Sequence, residues 1–259
     1  MKTFGYFDDE AREYVITDPQ TPVKWINYLG TLEFGGFIDQ TGGMLICRRD
    51  PALNRITKYL TQGPPSEFRA STIYLRSPDG SGGYQVLSPF FVPTLTPYER
   101  YACHVGLGYS RFVTELDEWR VEICVFIPPG ESLLIQDVVL TNLSGSAREA
   151  DLIPVVEYTH PNALKQLINA DWVPQTMQSY CHEDSGGRKV LSQAPFMFKD
   201  LRRNYFTANL PVTSFDTDRS AFLGGNGYGT WASPGALQAQ ELTSSLALRG
   251  DNIAALMLH

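Results

Sequence analysis

The sequence predicts an all-β fold, a large antiparallel β-sandwich, on three observations. Segments rich in β-branched and aromatic residues recur along nearly the whole chain, as pleated strands require. Clusters of glycine, proline, asparagine and aspartate punctuate them. Helical periodicity is scarce. With 259 residues, 43% of them hydrophobic and 19% charged, the chain can bury a large core and leaves little room for long disorder. Residues 1–259 read as a single domain, with a loop-rich insertion from about Asn162 to Gly235 and one or two short helices.

The elements follow in order. In TPVKWINYLG, Pro22 and Gly30 bound a short aromatic strand that a sheet can bury. GYSRFVTEL, the turn Asp117-Glu118 and WRVEICVFI form a long hairpin. Arg120 and Glu122 alternate there with Val121, Ile123 and Val125, a period of two with one wetter face. Pro128-Pro129-Gly130 ends that strand, because two prolines remove two ladder donors. LLIQDVVLTN and READLIPVVEYT, separated by NLSGS, continue the meander. The short helices are PNALKQLINA from Pro161 and TDRSAFLG from Thr217, the second stopped by Gly224-Gly225. DNIAALMLH reads as a buried strand, and a chain that stops there suggests a boundary inside a longer polypeptide.

Composition excludes several classes. A net charge of −7, with no basic group longer than a pair such as Arg48-Arg49 or Arg202-Arg203, argues against nucleic acid. No run approaches the roughly 18 apolar residues of a membrane span. The opening MKTFGYFDDEAREY lacks the apolar core of a secretory signal. The four cysteines are dispersed and form no CxxC, so a cytoplasmic protein with free thiols and no structural metal is expected.

Few residues carry an obvious chemistry. CHED, Cys181 to Asp184, alternates its side chains along an extended chain and reads as a polar loop rather than a metal site. Asp216-Thr217-Asp218 matches the DxD pattern of some sugar transferases, but an Asp before a short helix is an N-cap, and Arg219 is expected to pair with either carboxylate. The glycine runs Gly106–Gly108 and Gly224–Gly229 lack the Lys-Ser/Thr of a phosphate loop. Trp231 suits a sugar platform or a buried anchor equally. No G-x-S-x-G elbow appears, and none of the four histidines has a catalytic setting. NADWVPQTM, Asn169 to Met177, is the best binding candidate. It joins Asp171, Gln175 and Thr176, which bond hydroxyls, to the aromatic Trp172, on a loop stiffened by Pro174.

Taken together, FGYFDDEAREYVITDPQTPVKWINYLG, GGFIDQTGG, NRITKY, ERYACHVGLGYSRF and YFTANLPVTSFDTDRSAFLG resemble the opening of the inverting disaccharide phosphorylases of glycoside hydrolase family 94. The resemblance implies a supersandwich of the galactose mutarotase type, followed in the family by a linker and a helical (α/α) barrel that this chain lacks. The barrel supplies the general acid, so no catalytic residue is expected here. TPVKWINYLG then belongs to the entry of the fold rather than to a reaction centre.

The implied reaction cleaves a β-linked glucosyl disaccharide with inorganic phosphate as co-substrate, and no cofactor. The implied partners are the disaccharide, the barrel and a second subunit. In the family, a loop near the place of NADWVPQTM reaches an active-site pocket, in some members that of the other subunit of a dimer. Cellobiose phosphorylases carry a Gln-Arg pair there. Here Gln175 and Thr176 stand instead, which weighs against cellobiose, and the wording ADWVPQTM is similar to that of cellobionic acid phosphorylases. The competing expectations are a stand-alone carbohydrate-binding module, using Trp172 or Trp231, and a purely structural dimerisation module.

Overall fold

The computed structural model describes residues 2–196 and 202–259. A short hairpin, β1 (Gly5–Asp8) and β2 (Glu13–Ile16), opens the chain. β3 (Ile26–Gly30), β4 (Gly35–Asp39) and β5 (Met44–Cys47) then form a small antiparallel sheet. β3 corrects the reading of TPVKWINYLG as a buried aromatic strand. It is an edge strand in which only Leu29 is buried, and Tyr28 is 72% exposed. The aromatic of the stretch that reaches the core is the preceding, half-buried Trp25, which packs against Phe4 and Tyr14. Gly30 closes the strand at a φ of 76°, where a Cβ would lie 2.4 Å from the carbonyl oxygen of Phe34.

After the pair β6 (Ser71–Pro78) and β7 (Tyr84–Leu87) comes the expected meander, β8 (Arg100–Gly106), β9 (Tyr109–Leu116), β10 (Trp119–Phe126) and β11 (Ile135–Asn142). With β1 and β2 it makes a six-stranded sheet in the order β1-β2-β8-β9-β10-β11. Leu116 pairs with Trp119 across Asp117 and Glu118, whose φ values of 48° and 60° are both left-handed. Two such residues make a tight turn whose twist suits the strands. Arg148 secures it through bonds to the Asp117 carbonyl and carboxylate.

The meander ends at β11. The next strand, β12 (Asp151–Glu157), crosses to a five-stranded sheet and pairs with β6. β13 (Met177–Glu183), β14 (Lys189–Pro195) and β15 (Asn204–Phe206) form a separate three-stranded sheet. β16 (Ser214–Asp218) and β17 (Asn252–Met257) complete the second sheet, in the order β16-β17-β12-β6-β7. DNIAALMLH thus contains an interior strand, β17, buried at each of its positions.

The core explains its unbroken apolar run. Ile73 and Leu75 of β6 join the six-stranded sheet in one cluster. Ile253, Ala255 and Met257 of β17 pack with Phe222 and Leu237, while Ala254 and Leu256 pack with Leu191 of the small sheet. A strand covered on both faces has no wet side to mark by alternation.

Both short helices form. α1 (Ala163–Ile168) is capped by Asn162, whose side chain accepts from the Lys165 N–H. α2 (Arg219–Leu223) is capped by Asp218, which accepts from Ser220 and Ala221, and it stops at Gly224.

Candidate functional site

The loop between α1 and β13 is built from the inside outward. Gln166 anchors α1, its Oε1 accepting from the Thr159 hydroxyl at 2.7 Å and the His160 N–H at 2.6 Å. The Asn162 N–H donates to His160 Nδ1 at 3.1 Å. Burial pushes the His160 imidazole down, against the opposing effect of the Asn162 carbonyl 3.3 Å from Nδ1, and the Lys165 charge adds to the lowering. A neutral ring keeps Nδ1 free to accept that N–H.

A 3₁₀ turn, Val173–Thr176, follows. Val173 and Met177 are buried and lock it to the body of the domain, and the Gly250 N–H donates to the Pro174 carbonyl. Asp171, Trp172 and Gln175 are exposed, and Thr176 is half-buried. With three residues per turn, positions 172 and 175 eclipse on one side. The structure therefore presents Trp172 and Gln175 together. Trp172 is oriented by its Nε1–H to Asn169 Oδ1 at 3.3 Å and by the Lys165 ammonium 5.2 Å from its ring centre. The Thr176 hydroxyl donates to the Val173 carbonyl at 2.8 Å, so it faces a ligand only as an acceptor. Asp171 precedes the turn.

Two features of this region escaped the sequence reading. α1 is inverted: its polar Gln166 faces the protein while Leu164, Leu167 and Ile168 face out, Ile168 at 78% exposure. Spacing alone shows an apolar stripe and cannot say which way it points. Phe196, also exposed, donates its N–H to the Thr176 carbonyl and lies beside the loop although 20 residues away in sequence.

The other motifs resolve structurally. CHED is not a free loop: β13 runs through Glu183, His182 Nε2 meets the Ser192 hydroxyl at 3.0 Å, and Asp184 alone makes the turn by accepting from Gly186 and Arg188. In DxD, Asp218 is the cap, and Asp216 is buried, bonded to Thr243 and Ser245. The expected pairing of Arg219 with those carboxylates does not occur. Its guanidinium turns instead to Glu157 at 3.1 Å and Asp251 at 2.6 Å, because both Asp216 and Asp218 are already committed to backbone and hydroxyl donors. Gly106–Gly108 is the β8–β9 hairpin tip. Trp231 stacks on Phe68 with ring centres 3.8 Å apart, which is the anchor reading. Among the described residues no group of three or more His, Cys, Asp or Glu is placed to hold a metal, and no helix is long and apolar enough to cross a membrane.

These layers define a supersandwich domain. A sequence profile described as "Glycosyl hydrolase 94, supersandwich domain" matches residues 12–259. The chain belongs to glycoside hydrolase family 94, of which it is the supersandwich region. It is similar to the N,N'-diacetylchitobiose phosphorylases of Vibrio proteolyticus, at 35% identity, and Vibrio furnissii, at 32%, each alignment covering 85% of this chain and 27% of the relative. The 3-O-beta-D-glucopyranosyl-beta-D-glucuronide phosphorylase of Paenibacillus borealis is 29% identical over 86% of this chain and 27% of its own length. The chain thus spans about a quarter of the length of these curated relatives.

Proposed function

We propose that this chain serves an inverting disaccharide phosphorylase and that its loop at Asp171–Thr176 contacts the acceptor sugar. The carrying observation is the 3₁₀ turn, which holds Trp172 and Gln175 on one exposed side while Val173 and Met177 fix the backbone. A pyranose ring needs such a pair, an aromatic surface for its C–H face and an amide for its hydroxyls. The chemistry belongs to a helical barrel outside this chain. There a carboxylic acid protonates the glycosidic oxygen, and inorganic phosphate attacks the anomeric carbon from the opposite face. The products are an α-sugar 1-phosphate and the released acceptor, and the isolated chain is expected to be inactive.

The favoured disaccharide is cellobionic acid, ahead of cellobiose, so that the acceptor unit released is a sugar acid. Lys165 sets a cation beside Trp172, where a carboxylate on the acceptor would be held. The relative named for a glucosyl glucuronide supports an acidic partner in this family. In the whole enzyme, run in the synthetic direction, Gln175→Ala and Trp172→Ala should each raise the acceptor KM about tenfold, with kcat little changed. An unmoved KM in both variants removes the loop from the acceptor site.

The homodimer has its own support in the outward stripe of Leu164, Leu167 and Ile168, which a second copy would cover. Ile168→Lys is expected to shift the whole enzyme from dimer to monomer in sedimentation. An unchanged mass would place the interface elsewhere.

A further inference from the structure

Beyond the loop, aromatic and polar groups continue on one side of the small sheet, with His182 and Tyr205 exposed, Gln178 and Tyr180 half-buried, and Ser192 buried between the tyrosines. Thr176 leads directly into β13, whose alternate residues Gln178, Tyr180 and His182 share one side of the three-stranded sheet. Tyr180 pairs with Ser192 of β14, and Ser192 pairs with Tyr205 of β15, so the two tyrosines flank one serine on the same side. Two strand spacings separate them, about 9.6 Å. Tyr205 is 63% exposed.

These groups are ordered by one another. The Tyr180 hydroxyl donates to Gln178 Oε1 at 2.8 Å, and the ring lies against His182, with centres 6.3 Å apart and planes inclined by 30°. His182 Nε2 meets the Ser192 hydroxyl, and the Arg203 guanidinium sits 5.7 Å from the Tyr180 ring centre. The inward side of the same sheet packs Leu191 and Phe206 into the core, so the outward rings are not needed for that packing.

We propose that this face is a saccharide-binding surface that takes sugar units beyond the disaccharide, as a continuation of the Trp172–Thr176 loop. The proposal rests on the reading of that loop as an acceptor contact. A purely apolar face would suit a protein partner, but here Tyr180 has an amide, an imidazole and a guanidinium beside it, and Tyr205 lies across from a serine. That mixture matches β-linked gluco-configured chains, whose equatorial hydroxyls leave both ring faces apolar and put the polar groups at the rim. The spacing of the tyrosines is about two units of an extended β-1,4-linked chain, so alternate units can engage both. Trp172 would hold the unit nearest the reaction, and Tyr180 and Tyr205 the units farther from it.

The test titrates this chain with β-1,4-linked glucose and N-acetylglucosamine oligomers of two and five units, reading tyrosine and tryptophan fluorescence. The pentamer of one series should bind more tightly than its dimer. Tyr205→Ala should weaken the pentamer about three- to tenfold and leave the dimer unchanged. His182→Ala serves as a second variant, and retention of the thermal midpoint in both shows that they are folded. Equal affinity for pentamer and dimer, or a pentamer affinity untouched by both variants, overturns the proposal. So does a fall in self-association of Tyr205→Ala without any change in sugar binding, which would give the face to a second copy. The underlying loop reading fails separately, if Trp172→Ala leaves dimer binding intact while Tyr205→Ala still weakens the pentamer.

Discussion

Glu157→Ala is expected to destabilise the domain by about 3–5 kcal/mol, a large part of the roughly 5–15 kcal/mol that holds a folded domain together. Glu157 closes β12 and is almost fully buried. It accepts from Lys58 Nζ at 3.0 Å and from Arg219 at 3.1 Å, and both cations also reach Asp251, at 3.0 Å and 2.6 Å. Two cations and two anions therefore balance, tying β12, α2 and the entry to β17. Deleting the buried anion leaves Lys58 and Arg219 sharing one carboxylate.

Urea unfolding checks this, through a lower midpoint with an unchanged slope. The sign of the pH dependence also follows. Burial opposes the Lys58 charge, but Glu157 and Asp251 outweigh it and lift its pKa above the ordinary 10.5. Its contribution is therefore complete below pH 10.5 and is lost as pH rises through the lifted value. The wild type should lose stability there, and Glu157→Ala should lose less.

Phe112→Ala should cost about as much, about 3–5 kcal/mol, for an unrelated reason. Phe112 is fully buried on the inward side of β9 and meets the Phe90 ring edge to face, with centres 4.8 Å apart. It belongs to the cluster that joins the six-stranded sheet to β6 and to the β3–β5 sheet. Truncation leaves a cavity at a junction of three sheets, where no single element can shift to fill it. Phe112→Leu should recover much of the loss in the same measurement. Equal midpoints for Phe112→Ala and wild type would show that the sheets can close over the space.

The sequence is most informative where one side of an element is wet. Val121, Ile123 and Val125 against Arg120 and Glu122 reveal both the strand and its orientation, and Asp117-Glu118 reveals the turn. It is less informative where pairing is non-local. Nothing near Asp151 indicates that β12 abandons β11 for β6, some 75 residues earlier in the chain, since β pairing is set by shared burial and not by adjacent letters. Arg219 was misassigned for a related reason: its nearest carboxylates in sequence are occupied, and its partners come from other strands.

The candidate loop shows the same division. Trp172 and Gln175 were legible as residue types, and Pro174 as a stiffener. Their shared side depends on a 3₁₀ turn rather than an α turn or an extended run, a choice made by the buried Val173 and Met177. Phe196 reaches the loop, and Tyr205 reaches the side of the small sheet that carries Tyr180, only through the pairing of β13, β14 and β15, which no local pattern announces.

The position of β17 sets an order of events during synthesis. The six-stranded sheet draws only on residues 5–142, so all its partners exist once that length has left the ribosome. The second sheet is different. β12 and β16 each lack a neighbour until Asn252–Met257 has emerged, about a hundred residues after β12 itself. Until then Ile153, Val155 and Phe215 lack the part of their cover that β17 gives, and the nascent chain carries an open edge on β12 until that strand emerges.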